Sequence, residues 1–340
     1  MTIHARTRLT LSATIEQLEM TAPFHITGYT FTHVDMLVVR LQSGNCVGYG
    51  EGLGVYYHND KPASMLQQVE SLRETIESGI TRQQLLTLLP SGGARNAIDC
   101  ALWDLEAKLR GQPVWKLAGL NPSRPLLTTF TVGADEPDVM AQRAREFTHA
   151  RAIKLKLTDD DRNASRVRAV RDACPDAWIM VDANQGFTRD SLAELLPTLI
   201  DANIALIEQP FPVGNEAWLD GIDCPIPLAA DESVQDHHDL KKVVGRVQVI
   251  NIKLDKCGGL TEALILADEA RHLGFKLMVG NMGGSSWSMA ASNVIGGLCI
   301  VVDLDGPTFL LSDRTPAATY EDGRIHCPDA VWGGPGNSAT

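Results

Sequence analysis

The chain has 340 residues, 44% of them hydrophobic, and 42 Asp and Glu against 30 Lys and Arg leave it with a formal charge of −12. That length and apolar content suit one large α/β domain or two modest ones, and the negative field argues against a nucleic-acid partner. The opening "MTIHARTRLTLSATIEQLEM" lacks the apolar core of a secretory leader, and no later run is long enough to span a bilayer. The seven cysteines are scattered and no two form C-x-x-C, which predicts reduced thiols in a cytoplasmic enzyme rather than a disulfide framework or a zinc site.

In chain order, "ARTRLTLSATIEQLEM", "DMLVVRLQSG" and "CVGYGEG" read as short strands, the first two as an antiparallel meander. Between them "TAPFHITGYTFTHV", with Pro and Gly, reads as a loop. "SMLQQVESLRETIES" and "GGARNAIDCALWDLEAKLRG" carry apolar residues at helical spacing, and the second is predicted to be capped by Gly111. From about Leu126 a regular beat sets in. Apolar runs "LLTTFTV", "AIKLKL", "WIMVD", "IALIE", "IPLAAD", "VINIKL", "KLMVG" and "CIVVD" alternate with amphipathic helical stretches. Eight βα units at that spacing predict a parallel α/β barrel, with a doubly wound sheet as the alternative. The Gly- and Pro-rich tail from about Arg314 is expected to return to the N-terminal part.

Three of these strands end in an acid: Asp182, Glu208 and Asp231. In a parallel barrel they emerge on neighbouring strands at the rim where active sites are built. Uncompensated carboxylates in a partly desolvated mouth are costly unless a cation sits among them. Oxygen-only ligands select a hard ion, Mg2+ first and Mn2+ as a substitute. Lys156, near the end of the second strand, and Lys253, ending the sixth, flank the acids from either side. Lys154 lies one pleat deeper than Lys156 on the same face.

Together these residues resemble the enolase superfamily, in the muconate-lactonizing subgroup with K-x-K on the second strand and Lys on the sixth. "ARNAIDCALWDLEAKLRGQPVWKLAGL" is similar to the last helices of that family's capping domain. "VDANQGF", "IEQP", "AADES" and "NIKLDKCGGLTEAL" match its barrel motifs in order. The resemblance implies a modified TIM barrel of (β/α)7β type over about residues 125–313. It also implies an α+β capping domain over about 1–124, completed by 314–340. Within the subgroup the chain is most similar to dipeptide epimerases, and "DLDGP" adds to this. There Asp303 and Asp305 form a D-x-D that in those enzymes holds the substrate's free ammonium group. Two carboxylates one pleat apart make a natural seat for a cation.

The resemblance further implies 1,1-proton transfer at the carbon α to a carboxylate. Mg2+ on Asp182, Glu208 and Asp231, with Lys154, would stabilise an enediolate, while Lys156 and Lys253 serve as base and acid on opposite faces. The expected partner is a small molecule bearing an α-carboxylate and an ammonium group, and barrels of this kind are often symmetric assemblies of identical subunits. Two cap loops are expected to set specificity, one through Phe24 and His25 and the other through Tyr56, Tyr57 and His58. Typical relatives acting on Ala-Glu carry an arginine in the first loop. Pro-Phe-His departs from that and argues against Ala-Glu, while two tyrosines and a histidine suit an apolar or aromatic side chain, or a compact ring. Asn281 stands where typical dipeptide epimerases have a cysteine, and with Ser285 it adds hydrogen-bonding groups near the pocket. Two further readings share the scaffold: a dehydratase of a hydroxylated amino acid such as a hydroxyproline, and an epimerase of a free or N-modified amino acid.

Overall fold

The computed structural model describes residues 8–26 and 28–336. The start of the first predicted strand, residues 5–7, lies outside them. Strands β1 (Thr10–Ile26), β2 (Tyr29–Ser43) and β3 (Cys46–Gly52) form an antiparallel sheet in the order β1-β2-β3. The stretch read as a loop is the far end of the β1–β2 hairpin. Phe24 pairs with Phe31 and Ile26 with Tyr29 after a register shift between Glu19 and Phe24. Thr, Tyr and Phe at alternate positions favour an extended chain, and that preference outweighs the turn signal of the single proline.

Helices α1 (Pro62–Ser71), α2 (Arg73–Glu77), α3 (Arg82–Leu88), α4 (Gly93–Arg110) and α5 (Val114–Leu117) follow. The long α4 ends at Gly111, whose φ of 60° is the left-handed cap expected there. It lies directly on β3, because Gly48, Gly50 and Gly52 share one face of that strand. A Cβ at Gly50 would stand 2.1 Å from the Ala97 carbonyl, so only glycine permits this approach. Leu37, Val39, Leu41, Met65, Ile98 and Leu102 are among the residues that fill the cap core.

The barrel begins after a short strand β4 (Leu126–Leu127). Its strands are β5 (Thr129–Val132), β6 (Ala152–Lys156), β7 (Trp178–Asp182), β8 (Leu206–Glu208), β9 (Leu228–Ala230), β10 (Val249–Ile252), β11 (Lys276–Val279) and β12 (Val301–Val302), all parallel and adjacent in chain order. "LLTTFTV" is therefore two strands. β4 turns aside to pair with the C-terminal hairpin β13 (Thr319–Glu321) and β14 (Arg324–His326). Beyond that hairpin, Trp332 Nε1 donates to the Tyr49 carbonyl at 2.7 Å and Gly333 N to Asp104 Oδ1 at 3.0 Å, tying the tail to β3 and α4. No helix among the described residues is long and apolar enough to cross a membrane.

Period-two alternation sorts the barrel strands into layers. Outward residues such as Ile153, Leu155, Ile179, Val181, Ile207 and Ile250 pack under the surrounding helices. Inward, Met180, Leu206, Ala229, Val249, Met278 and Val301 form an apolar plug. Two residues further along the same strands the inward positions become Asp182, Glu208, Asp231, Asn251 and Asp303, all buried. The plug thus supports a charged layer at the C-terminal mouth. The backbone ladder runs from β12 round to β5 and leaves one seam, which side chains span. Thr129 Oγ1 donates to Asp303 Oδ1 at 2.6 Å, Thr131 N to Asp305 Oδ2 at 2.6 Å, and Leu304 N to Thr128 Oγ1 at 3.0 Å.

Candidate active site

The charged layer is nearly dry. Lys154, Asp182, Glu208 and Asp231 are each at most 1% exposed, and Lys156 and Lys253 are at most 7%. Asp182 on β7 pairs in register with Lys156 on β6 and with Glu208 on β8, so these side chains share the inner face. Asp231 follows β9 directly. Lys156 Nζ donates to Asp182 Oδ2 at 2.6 Å and to Asn184 Oδ1 at 3.0 Å, while Lys253 Nζ donates to Asp231 Oδ2 at 2.6 Å. β6 and β10 stand four strands apart in an eight-strand barrel, so the two amines approach the mouth from opposite walls. Lys154, in register with Met180, reaches up to Glu208 at 2.8 Å, Asp303 at 2.9 Å and Asp182 at 3.0 Å.

Burial favours the neutral form of every group here, and the neighbours decide which charges survive. For Lys154 the surrounding Asp182, Asp303 and Glu208 outweigh desolvation and hold its pKa well above the usual lysine value. Lys253 is likewise raised by Asp231 against its own burial. Asp182 is held down to about 2, since Lys154 and Lys156 overcome its desolvation, and Asp231 is lowered further by Lys253 and Lys256. Glu208 goes the other way. Burial and the nearby Asp182 push it up to about 7. Glu232 is driven up to about 8 by burial and Asp231.

The charge balance suits a divalent cation. Six buried carboxylates (Asp182, Glu208, Asp231, Glu232, Asp303 and Asp305) face four buried ammonium groups (Lys154, Lys156, Lys253 and Lys256), a formal excess of two negative charges that requires Glu208 and Glu232 to ionise, which burial opposes and an added cation would favour. Glu208 Oε2, Asp231 Oδ1 and Glu232 Oε2 are buried without a hydrogen bond, although the first two lie 2.8 and 2.7 Å from Lys154 and Lys256 in ion pairs. An oxygen-only donor set with that deficit fits a hard ion. Two of the three acids meet the flanking amines, Asp182 with Lys156 and Asp231 with Lys253, and Lys154 pairs with both Asp182 and Glu208. The one group of His and acidic residues among the described residues with ligand atoms within 4.8 Å of one another lies elsewhere, at Asp236, His237 and His238.

Above this layer opens a cavity of about 330 Å3. Its floor includes Lys154, Lys156, Lys253, Asp231, Asp303 and Asp305, and its walls include Phe24, Ile26, Phe31, Tyr56, Met282 and Phe309. Phe24 packs on Phe309 with centroids 4.9 Å apart, and Tyr56 on Tyr29 at 4.4 Å and Phe31 at 5.5 Å. Tyr57 also lines the cavity, but His58 does not. His25 corrects the expectation for the first loop. In the extended β1 it faces away from Phe24 and Ile26, its Nδ1 lies 2.9 Å from Thr30 Oγ1, and it is not a lining residue. Asn281 lines the cavity and donates to the Asp303 carbonyl at 2.7 Å. Ser285 is turned away, donating to Glu51 at 2.7 Å.

Several site residues escape a reading of the sequence. Asn184 and Asn251 extend the inward period of two, as D-x-N after Asp182 and N-x-K before Lys253. Asn251 donates to Glu208 Oε1 at 2.6 Å. Lys256 is buried and donates to the carbonyls of Val234 and Asn251, both at 3.0 Å. Asp255 holds the second cap loop, accepting from Leu53 N at 2.8 Å and Asn96 Nδ2 at 3.1 Å. Only the period-two signal of the asparagines is legible, because Lys256 and Asp255 act through a helical turn and a long-range contact.

Residues 10–119 match the mandelate racemase/muconate lactonizing enzyme N-terminal domain, and residues 139–340 the enolase C-terminal domain-like family. The chain therefore belongs to the enolase superfamily, in its mandelate racemase/muconate lactonizing branch. It is 39% identical to an L-Ala-D/L-Glu epimerase of Escherichia coli (strain K12), covering 89% of this chain and 95% of that one. It is 37% identical to an N-acetyl-D-glutamate racemase of Pseudoalteromonas sp, covering 89% and 96%. Among solved structures, an enolase family member from Agrobacterium tumefaciens with bound sodium and L-Ala-L-Glu superposes with a TM-score of 0.92 at 38% identity, covering 96% of this chain and 100% of that one. A dipeptide epimerase from Enterococcus faecalis V583, complexed with Mg and L-Leu-L-Tyr, gives 0.87 at 26% identity, covering 97% and 99%. With relatives that are epimerases and racemases, this chain is an isomerase of that class.

Proposed function

We propose that the protein inverts the α-carbon of the C-terminal residue of a dipeptide by 1,1-proton transfer, with Lys156 and Lys253 on opposite faces of that carbon. The observation that carries this reading is the placement of the two amines four strands apart, each 2.6 Å from a carboxylate of the mouth. Relatives at 37–39% identity that act on dipeptides or N-acylated amino acids support it.

Asp182, Glu208 and Asp231 would hold a Mg2+ ion, with Mn2+ as a substitute. Such an ion supplies positive charge to the substrate's carboxylate and so makes the α-proton easier to remove. Lys154 lies among those acids and adds a fixed positive charge where negative charge grows as that proton leaves. One lysine must be neutral to take the proton and the other charged to return one, and the roles exchange in the reverse direction. Lys253, held charged by Asp231, is suited to donate. The aromatic walls exclude water and strengthen each of these interactions.

The cavity walls bear on the substrate. No arginine lines it among the described residues, and its lysines all lie in the charged floor. A glutamate side chain would have no guanidinium to meet, whereas leucine or phenylalanine would rest on Phe24, Phe31 and Phe309. The preferred substrates are therefore Ala-Leu or Ala-Phe type dipeptides rather than Ala-Glu. An N-acyl amino acid is the second reading, favoured by Asp303 already accepting on each oxygen, from Thr129 and from the Lys154 ammonium, whose charge opposes a second cation there.

Incubation in D2O with L-Ala-L-Leu, L-Ala-L-Phe, L-Ala-L-Glu and their N-acyl counterparts tests both. Deuterium at one α-carbon with inversion is the expected result for the apolar dipeptides. Loss of water from a hydroxylated amino acid, with no inversion of any dipeptide, would replace this reading by the dehydratase.

A further inference from the structure

We infer that the cap segment 53–60 covers one face of the reacting carbon, the face served by Lys253, and that Asp255 is the positioning residue that holds it there. This rests on the two-lysine reading above and deepens it.

The segment is fastened to the barrel on the Lys253 side of the mouth. At its start, Asp255 Oδ1 accepts from Leu53 N at 2.8 Å and from Gly54 N at 3.3 Å. Asp255 follows Lys253 by two residues and is buried, and Asn96 Nδ2 of α4 donates to the same oxygen at 3.1 Å. Near the tip, the Tyr57 hydroxyl accepts from Gln235 Nε2 at 3.3 Å. Gln235 belongs to the loop after β9 that begins with Asp231, and it also donates to the Glu232 carbonyl at 3.1 Å. The two fastenings therefore fall on the loops after β9 and β10, adjacent strands followed by Asp231 and by Lys253. Lys156 stands on β6, four strands from β10.

The segment is built to move as one piece. His58 N donates to the Val55 carbonyl at 2.9 Å and Asp60 N to the same carbonyl at 3.2 Å, while Asp60 Oδ2 accepts from Gly93 N at 2.8 Å. A Cβ at Gly54 would stand 2.2 Å from the Asp60 carbonyl oxygen, so the two ends of the segment touch. Leu53, Gly54, Tyr56 and Tyr57 all line the cavity. The other cap wall, the far end of the β1–β2 hairpin, is tied elsewhere. Ala134 N, beyond β5, donates to the His25 carbonyl at 3.1 Å, and Thr21 Oγ1 donates to the Phe309 carbonyl, beyond β12, at 3.3 Å. β5 neighbours β6, which carries Lys156. Each wall thus stands beside one lysine. Releasing the segment would admit water to Lys253 and loosen the geometry of its proton transfer, while the surroundings of Lys156 stay in place.

The test reads initial rates of α-proton loss by NMR in D2O, with Mg2+ and saturating L-Ala-L-Leu or L-Ala-D-Leu. Lys156→Ala first identifies the diastereomer that faces Lys253, as the one it still exchanges. Asp255→Ala should then slow exchange of that diastereomer by about tenfold or more relative to the other. Asp255→Asn should restore the rate, because its carbonyl oxygen can still accept from Leu53 N and Gly54 N. Gln235→Ala should show the same bias more weakly, and it carries the result if Asp255→Ala does not fold by circular dichroism. Equal slowing of both diastereomers, or an Asp255→Asn as slow as Asp255→Ala, overturns the inference and leaves the two-lysine reading standing. Exchange of both diastereomers, or of neither, by Lys156→Ala overturns that reading, and the inference falls with it.

Discussion

Lys156 and Lys253 face each other across the barrel mouth from β6 and β10, each hydrogen-bonded at 2.6 Å to an acid at the end of a neighbouring strand, Asp182 and Asp231. Two amines so placed can address one carbon from both sides. Lys156→Ala and Lys253→Ala should each lower epimerization by about 10²–10⁴-fold, the usual worth of a positioned acid or base. Each variant should still exchange the α-proton of one enantiomer, the one facing its remaining lysine. Proton NMR in D2O with each diastereomer reads this, and equal exchange from both diastereomers in either variant would count against a two-face mechanism.

The formal excess of two negative charges in the buried mouth, reached when Glu208 and Glu232 ionise, makes metal loading a second expectation. Removing divalent ions with a chelator should abolish turnover, and Mg2+ should restore it, with Mn2+ as a partial substitute. Glu208→Gln should weaken Mg2+ binding by about tenfold or more, read by calorimetry, because one of the three proposed anionic ligands is lost. Unchanged activity after exhaustive chelation would remove the ion from the mechanism.

Phe31 lines the cavity and packs 5.5 Å from the Tyr56 ring. Phe31→Arg should place a guanidinium where the apolar wall now stands. The kcat/KM ratio of L-Ala-L-Glu to L-Ala-L-Leu should rise by about tenfold or more, since a charge-assisted hydrogen bond replaces an apolar contact. A ratio that does not move would separate this wall from substrate choice.

Asp305 sets a pH dependence. Its carboxyl is raised to about 6 by burial and by Asp303, with Lys154 opposing, so it is charged above that pH and neutral below it. An ammonium group seated at the proposed Asp303–Asp305 pair would need the charged form. KM for a dipeptide should therefore rise by about tenfold per pH unit as pH falls below about 6, whereas an N-acyl substrate should show no such rise from this group. Parallel KM profiles for the two substrates would show that Asp305 is not the group concerned.

Arg314 joins the tail to the cap. It pairs with Glu16 at 2.8 Å and Glu51 at 2.6 Å, and its guanidinium lies 4.4 Å over the Trp287 ring. The Glu51 side chain is fully buried, and among the described residues it keeps only the hydroxyls of Ser285 and Ser288 without Arg314. Arg314→Met should destabilise by about 3 kcal/mol, the cost of stranding a buried charge, read as a fall in Tm.

Much of the barrel is legible in the sequence because its strands are short apolar runs at a regular spacing. All eight predicted runs are present, although "LLTTFTV" contains a second strand that turns to the C-terminal hairpin. The far end of the β1–β2 hairpin reads as a loop because Pro and Gly mark a turn locally, whereas pairing with β2 is a long-range contact. His25 illustrates the same limit at one residue. Its place in the chain assigns it to the specificity loop, and the extended backbone turns it away from the cavity.

By itself the sequence determined which side chains share a face within a strand: period-two alternation places Lys154 with Lys156 wherever β6 lies, whereas Asp303 and Asp305 follow the end of β12 and meet by the path of the chain beyond it. It also determined that the acids fall at strand ends, since each follows an apolar run. Only the tertiary structure decided who meets whom across the barrel. The closing of eight strands set Lys156 opposite Lys253, and the unpaired seam gave Asp303 to Thr129 and Lys154 and Asp305 to Thr131. Alternation is a property of one strand's backbone, but a pairing across the seam depends on contacts between residues 149–174 positions apart, which no local pattern encodes.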